Sequence, residues 1–269
     1  MWWIVAAASA ATSVDRSLDA PGEPTVSVSA PCGAIRISGS DRATVRVSGT
    51  VGDGQAFEAK IVDGRVTVHA AEDPAARAKE CVDLTLEVPA GASLVLEGVS
   101  TSFTVEGIRA DVDVETVSGE VTIAGARTVE AETMSSAIHV TGAAQRLELE
   151  SVSGNVSAEG AGGTVHMTSV SGSIELLGSS PLTDTELTTV SGTITFRGAL
   201  APAGRLEAST HSGSLRMSLP ADTDARLSQN TFSGQIHNAF GTDGELVLGA
   251  GKGRIELSTF SGDVDVERR

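Results

Sequence analysis

Aromatic residues are scarce in this chain: they make up 3% of its 269 residues, and Tyr is absent. A core of large interlocking rings is excluded, so the interior must be assembled from Val, Ile, Leu and Ala, which suit thin, regular layers. Proline is sparse too, at 8 residues against 30 glycines. That balance fits many tight turns between ordered segments rather than a Pro-rich disordered linker. Basic residues number 19 against 35 acidic ones, a net charge of −16, with no dense Lys or Arg run. Nucleic acid and anionic membrane surfaces are therefore excluded as partners, and the acidity is read as keeping a long β surface soluble. No apolar run is long enough to span a bilayer, so no transmembrane span is expected in the mature chain.

Chemical motifs are missing as well. The five histidines, His69, His139, His166, His211 and His237, show no HxxxH or HExxH spacing, and there is no G-x-S-x-G elbow, Walker loop or dinucleotide fingerprint. The two cysteines, Cys32 and Cys81, have no neighbouring His pair and do not make a zinc site. Catalytic residues, metal ligands and cofactors are thus expected to be none. In an oxidising compartment a Cys32–Cys81 disulfide would close a loop of about 50 residues and stabilise by about 4 kcal/mol; two separate buried thiols are the alternative. Residues 1–20 are read as a signal peptide or an N-terminal apolar segment. Met1 to Ala11 is short and apolar, and Ala8-Ser9-Ala10 fits the small-x-small cleavage rule, without a basic leading region. Export to the periplasm, cell surface or medium is expected. A retained anchor or a displaced start codon is the other reading.

What the chain has in abundance is repetition. Thr116-Val117-Ser118-Gly119 recurs as Thr133-Met134-Ser135-Ser136, Ser151-Val152-Ser153-Gly154, Ser169-Val170-Ser171-Gly172 and Thr189-Val190-Ser191-Gly192. It continues through Thr210-His211-Ser212-Gly213, Thr231-Phe232-Ser233-Gly234 and Thr259-Phe260-Ser261-Gly262, with a degenerate copy at Gly98-Val99-Ser100-Thr101. Measured from Thr101, the Gly slots step by 18, 17, 18, 18, 20, 21, 21 and 28 residues. Apolar residues alternate on both sides, as with Val112 and Val114 before the motif and Val121 and Ile123 after it. Two strands per repeat follow, joined at a bend near the Thr-to-Val step.

A repeat this short cannot fold alone, because one bent strand pair leaves its backbone groups unpaired. Stacking supplies the partners. The fold class is therefore all-β, a parallel β-solenoid (β-helix) of about nine or more rungs, roughly 40 Å long at 4.8 Å per rung. Residues 21–96 keep the alternation without the motif and are read as an irregular β-strand cap, with Ala70 to Glu80 as an excursion, and residues 97–269 as the Ser-Gly repeat solenoid. The Gly is expected on the inward parity with Val117 and Val121. The serines are expected to form a structural hydrogen-bonded column: Ser118-Gly119, Ser153-Gly154, Ser171-Gly172, Ser191-Gly192, Ser212-Gly213, Ser233-Gly234 and Ser261-Gly262. His211, in a slot otherwise apolar, is expected to be a buried imidazole. The longer late spacings are read as projecting loops near 199–204 and 238–253, and the charged Asp263 to Arg269 as blunting the final edge.

Acidic residues at outward parity, Asp111, Asp113, Glu115, Glu130, Glu132, Glu148 and Glu150, are expected to stack into a solvated charged face, with weak Ca²⁺ binding as the other reading. The T-V-S-G-x-V-x-V units over roughly residues 95–269, preceded by Leu84-Thr85-Leu86-Glu87-Val88-Pro89-Ala90-Gly91-Ala92, resemble the bacterial candidate-adhesin family of β-strand-repeat proteins, a domain of unknown function. The resemblance implies a surface or periplasmic binding role and no catalytic residues. The expected function is a non-catalytic extracytoplasmic scaffold for a protein or cell-envelope partner. A carbohydrate-active β-helix enzyme using the acidic face and a self-assembling structural polymer are the alternatives.

Overall fold

The computed structural model describes residues 11–20, 22–53, 55–72, 80–241 and 245–269. Every regular element among them is a strand. The chain opens with β1 (Thr12–Asp19), β2 (Thr25–Ser40), β3 (Thr44–Val51), β4 (Gln55–Val62), β5 (Arg65–Glu72) and β6 (Val82–Pro89). Then follow β7 (Ser93–Glu106), β8 (Asp111–Thr116), β9 (Val121–Ala124), β10 (Thr128–Thr133), β11 (Ile138–Thr141), β12 (Arg146–Ser151) and β13 (Val156–Glu159). β14 (Gly163–Ser169), β15 (Ile174–Leu177), β16 (Leu182–Ser191), β17 (Ile194–Arg197), β18 (Leu200–Ser212) and β19 (Leu215–Leu219) continue the series. β20 (Ala225–Ser233), β21 (Ile236–Asn238), β22 (Glu245–Leu248), β23 (Gly253–Ser261) and β24 (Val264–Arg268) complete it.

The parallel solenoid expected from the repeat is what forms. Strands preceding the motif stack as β8–β10–β12–β14–β16–β18, and strands following it as β9–β11–β13–β15–β17–β19, all parallel. Successive coils are in register, so Val112 lies beside Val129 and that beside Leu147. Inward residues of the two stacks form a single core of buried Val, Ile, Leu and Ala, with Phe103 and Phe196 as its two rings. Each aliphatic column continues from coil to coil, so every layer buries the same shape against the next.

Coil order departs from chain order at both ends. β18 pairs with β23, and β23 with β20, so the last coil in sequence is inserted between the two before it. β24 correspondingly lies between β19 and β21. The charges of Asp263 to Arg269 therefore do not guard an edge, contrary to expectation. The long step of 28 residues is more than a projecting loop: β22 turns back antiparallel over β20 and covers it before the chain returns to fill the vacant slot. The stretch near 199–204 is a bulge inside β18, where the register with β16 shifts between Leu182 and Asp184.

The opposite end is built the same way. β2 spans both stacks, with β7 on one side and β5 and β6 on the other. β4 closes the first stack antiparallel to β5; β3 lies antiparallel to β6 in the second, and β1 closes it antiparallel to β3. Antiparallel edge strands thus stop the parallel ladder at three of its four ends, which limits continued stacking by another chain. The expected boundary at 96/97 falls inside β7, and β2 is a full coil rather than part of an irregular cap. Of residues 1–20, the first ten lie outside the described residues and β1 occupies most of the rest. Most of the Ala70 to Glu80 excursion also lies outside them.

Cys32 and Cys81 are joined in a disulfide, with Cα atoms 5.2 Å apart across 49 residues of sequence. It ties the bend of β2 to the start of β6, next to the coil that every later one builds on. Replacing both cysteines by Ser should lower unfolding stability by about 4 kcal/mol on the loop-entropy scale. Urea denaturation of the double variant against the oxidised protein measures this.

Candidate functional site

The repeated corner carries four columns along the solenoid, two pointing in and two out. The first motif position points in: Thr116, Ser151, Ser169, Thr189, Thr210 and Thr259 are all buried. Their hydroxyls donate to the carbonyl in the Gly slot of the neighbouring coil. Examples are Ser169 Oγ to Gly154 O at 3.1 Å, Thr189 Oγ1 to Gly172 O at 3.0 Å and Thr259 Oγ1 to Gly213 O at 3.0 Å. Where Ser replaces Thr, the same oxygen also accepts from the Gly amide of its own coil, at 2.8 Å for Gly154 and 2.9 Å for Gly172. Thr133, in the coil reached by the 17-residue step, is buried without a hydrogen-bond partner.

The fourth position also points in, and here the coils touch backbone to backbone. A Cβ at Gly119, Gly154, Gly172, Gly192 or Gly213 would overlap the carbonyl of the same slot one coil away. Only hydrogen fits, which explains the recurring Gly through close approach. Ala30-Pro31-Cys32-Gly33 occupies the same four positions, since Ala30, Cys32 and Gly33 pair with Gly98, Ser100 and Thr101. Sequence reading missed this copy because neither Thr nor Ser marks it; Gly33, whose Cβ would overlap Val82 O, was the remaining signal.

The second and third positions point out, which corrects two expectations. Val117 does not share the inward face of Gly119; it is 41% exposed. Val99, Met134, Val152, Val170, Val190 and Phe260 stand beside it in the same column at 42–55%, and Phe232 ends it at 80%. His211 is exposed in this column rather than buried, and its ring stacks on Phe260, which in turn stacks on Phe232, each at 4.9 Å and 6°. The motif serines are outward too. Among them Ser118 Oγ donates to Val99 O at 3.3 Å and lies 3.5 Å from Ser100 Oγ. The hydroxyl column that bonds coil to coil runs through the first position instead, from Thr116 onward with Thr133 as its exception, because buried hydroxyls there need an acceptor.

Beside this ridge runs an outward ladder of Glu97, Glu115, Glu132 and Glu150, which continues as Thr168, Thr188, Ser209 and Ser258. A second column holds Asp113, Glu130, Glu148, His166, Glu186, Glu207 and Glu256. Partial burial, then Glu130, Glu115 and Glu97, push the Asp113 carboxyl up. Burial, then Glu150, Glu115, Glu130 and Asp113, do the same to Glu132. Asp111 is held low by its hydrogen bonds from Arg127. The acidic face expected from the sequence is real and self-repelling. No group of three or more His, Cys, Asp or Glu with metal-binding geometry occurs among the described residues.

The family model Toastrack DUF4097 matches residues 34–267 of the chain. The chain belongs to the Toastrack family. Solved structures similar to it include a candidate adhesin from Parabacteroides distasonis, at 11% identity and TM-score 0.48, covering 96% of this chain and 98% of that one. Another is a candidate adhesin from Bacteroides fragilis, at 10% identity and TM-score 0.46, covering 96% and 98%. A candidate cell adhesion protein from Clostridium sporogenes is more distant, at 9% identity and TM-score 0.26, covering 97% and 100%. No curated protein matches the chain. No helix among the described residues is long and apolar enough to cross a membrane.

In this Toastrack chain the Gly and Ser of one motif carry unequal loads. Gly172→Ala should cost about 3 kcal/mol through backbone overlap, and Ser171→Ala should stay within about 0.5 kcal/mol; urea midpoints of the two variants separate them. The glutamate ladder gives a pH test. Because the folded state raises the proton affinity of Glu132, stability is full below the ordinary value of 4.5 and falls as pH rises through the raised value. Glu132→Gln should therefore raise the thermal midpoint at pH 7, and the gain should vanish below pH 4.5.

Proposed function

We propose that the chain is a non-catalytic, adhesin-like interaction scaffold of the cell envelope. The observation that carries this reading is the apolar ridge, which runs coil after coil along one corner with side chains left in water. Scattered exposed apolar residues need no explanation, but a contiguous exposed row marks a contact surface. A regular rod also suits binding better than chemistry, since its columns repeat one environment along the axis, whereas catalysis needs unlike groups converging on one point. The disulfide supports placement outside the cytoplasm.

The acidic ladder favours binding over glycoside cleavage. A cleaving pair sets an acid and a base on opposite sides of the scissile bond, and these carboxylates line one outward sheet face. Antiparallel strands at three of four ladder ends argue against open-ended polymerisation. Envelope fractions passed over the immobilised full chain should leave a retained partner, and anionic polysaccharides incubated with it should show no new reducing or unsaturated ends. An empty column, or new sugar ends, overturns the proposal.

A further inference from the structure

We propose that the N-terminal half of the ridge receives a cationic amphipathic helix of a protein partner, lying along the solenoid axis. This rests on the scaffold reading above and names the chemistry of the partner. Pro31, Val99, Val117, Met134, Val152 and Val170 line a groove of about 740 Å³ together with Glu97, Glu115, Glu132 and Glu150. In four successive coils the glutamate and the apolar residue are two apart in sequence and both point out, so each of these coils offers one charge beside one apolar contact.

Spacing selects the occupant. Coils repeat at about 4.8 Å, so the four carboxylates span about 14 Å. An α-helix rises about 5.4 Å per turn, so one Lys or Arg per turn meets one Glu per coil over three turns with a drift of only about 2 Å. An extended strand along the same line presents same-side residues every 6.6–6.8 Å or so, and is about 2 Å out of step at the first coil and 4 Å at the second. Apolar residues flanking the basic stripe then cover the ridge.

Charge selects further. A second copy of this chain would bring like charge to the ladder, given the net −16. Anionic lipid and nucleic acid are disfavoured for the same reason. Beyond Glu150 the ladder turns neutral at Thr168, and further along the ridge turns aromatic at His211, Phe260 and Phe232, so the complementary surface is confined to the first half. The four carboxylates already repel one another, and a cationic partner removes that penalty.

The test uses the full oxidised chain and two synthetic helical peptides of about 18 residues with identical composition. One carries a Lys on each turn of one face flanked by Leu, the other scatters the same Lys around all faces. Fluorescence anisotropy should show the striped peptide binding at least about tenfold tighter, with affinity falling as salt rises. Glu115→Gln with Glu132→Gln, and separately Val117→Ser with Met134→Ser, should each weaken it by about tenfold or more, while Phe260→Ser should leave it unchanged. Equal binding of both peptides, or either double variant binding like the parent, overturns the inference. The same double variants passed through the envelope retention experiment separate the two readings. If they still hold the partner, this groove is not its site and the scaffold stands; if the parent chain holds nothing, the scaffold reading itself falls.

Discussion

The structure depends on backbone contact between neighbouring coils at one corner. In the Gly column the carbonyl of one coil occupies the space where the next would have a side chain, and the buried Thr or Ser three residues before the next coil's Gly donates a hydrogen bond to that carbonyl. Both facts need the coils to stack in register. Register at the corner then fixes register in the flanking strands, because a slip of one residue would turn every aliphatic column outward. The core follows from the corner.

The same constraint makes the outer surface regular. Once inward positions are assigned to hydroxyl and Gly, the two residues between them must face water, whatever their chemistry. That these include Val, Met and Phe rather than Lys or Glu at nearly every coil is not demanded by folding. Beside them the glutamate ladder keeps four like charges one coil apart, a cost visible in the raised proton affinity of Glu132. Two independent features of the surface thus work against solubility or stability on the same strip, which is where a binding function has room to compensate.

A parallel stack has no natural end, and this chain solves the problem by reversal. At each end it leaves a slot, folds an antiparallel strand over the outermost coil and returns to fill the slot with a regular one. The outermost strands β4, β22 and β1 are therefore antiparallel, and the last repeat in sequence, with its Thr259 and Gly262, lies inside the rod.

Sequence alone determined that the chain is a parallel β-solenoid, because period-two alternation on both sides of a fixed motif leaves stacking as the only way to pair the backbone. It also placed Val112, Val114, Val121 and Ile123 inward and the carboxylates outward, since parity within a strand is strict. It misjudged Val117 and His211, because a corner breaks parity and hydropathy then pulls an apolar residue inward on paper when geometry sends it out. Which hydroxyl forms the ladder, why Ala30-Pro31-Cys32-Gly33 is a corner at all, and the exchanged order of the final coils were decided only by tertiary structure. Each depends on which coil lies next to which, and pairing between distant segments is a property of the stack that no local pattern encodes.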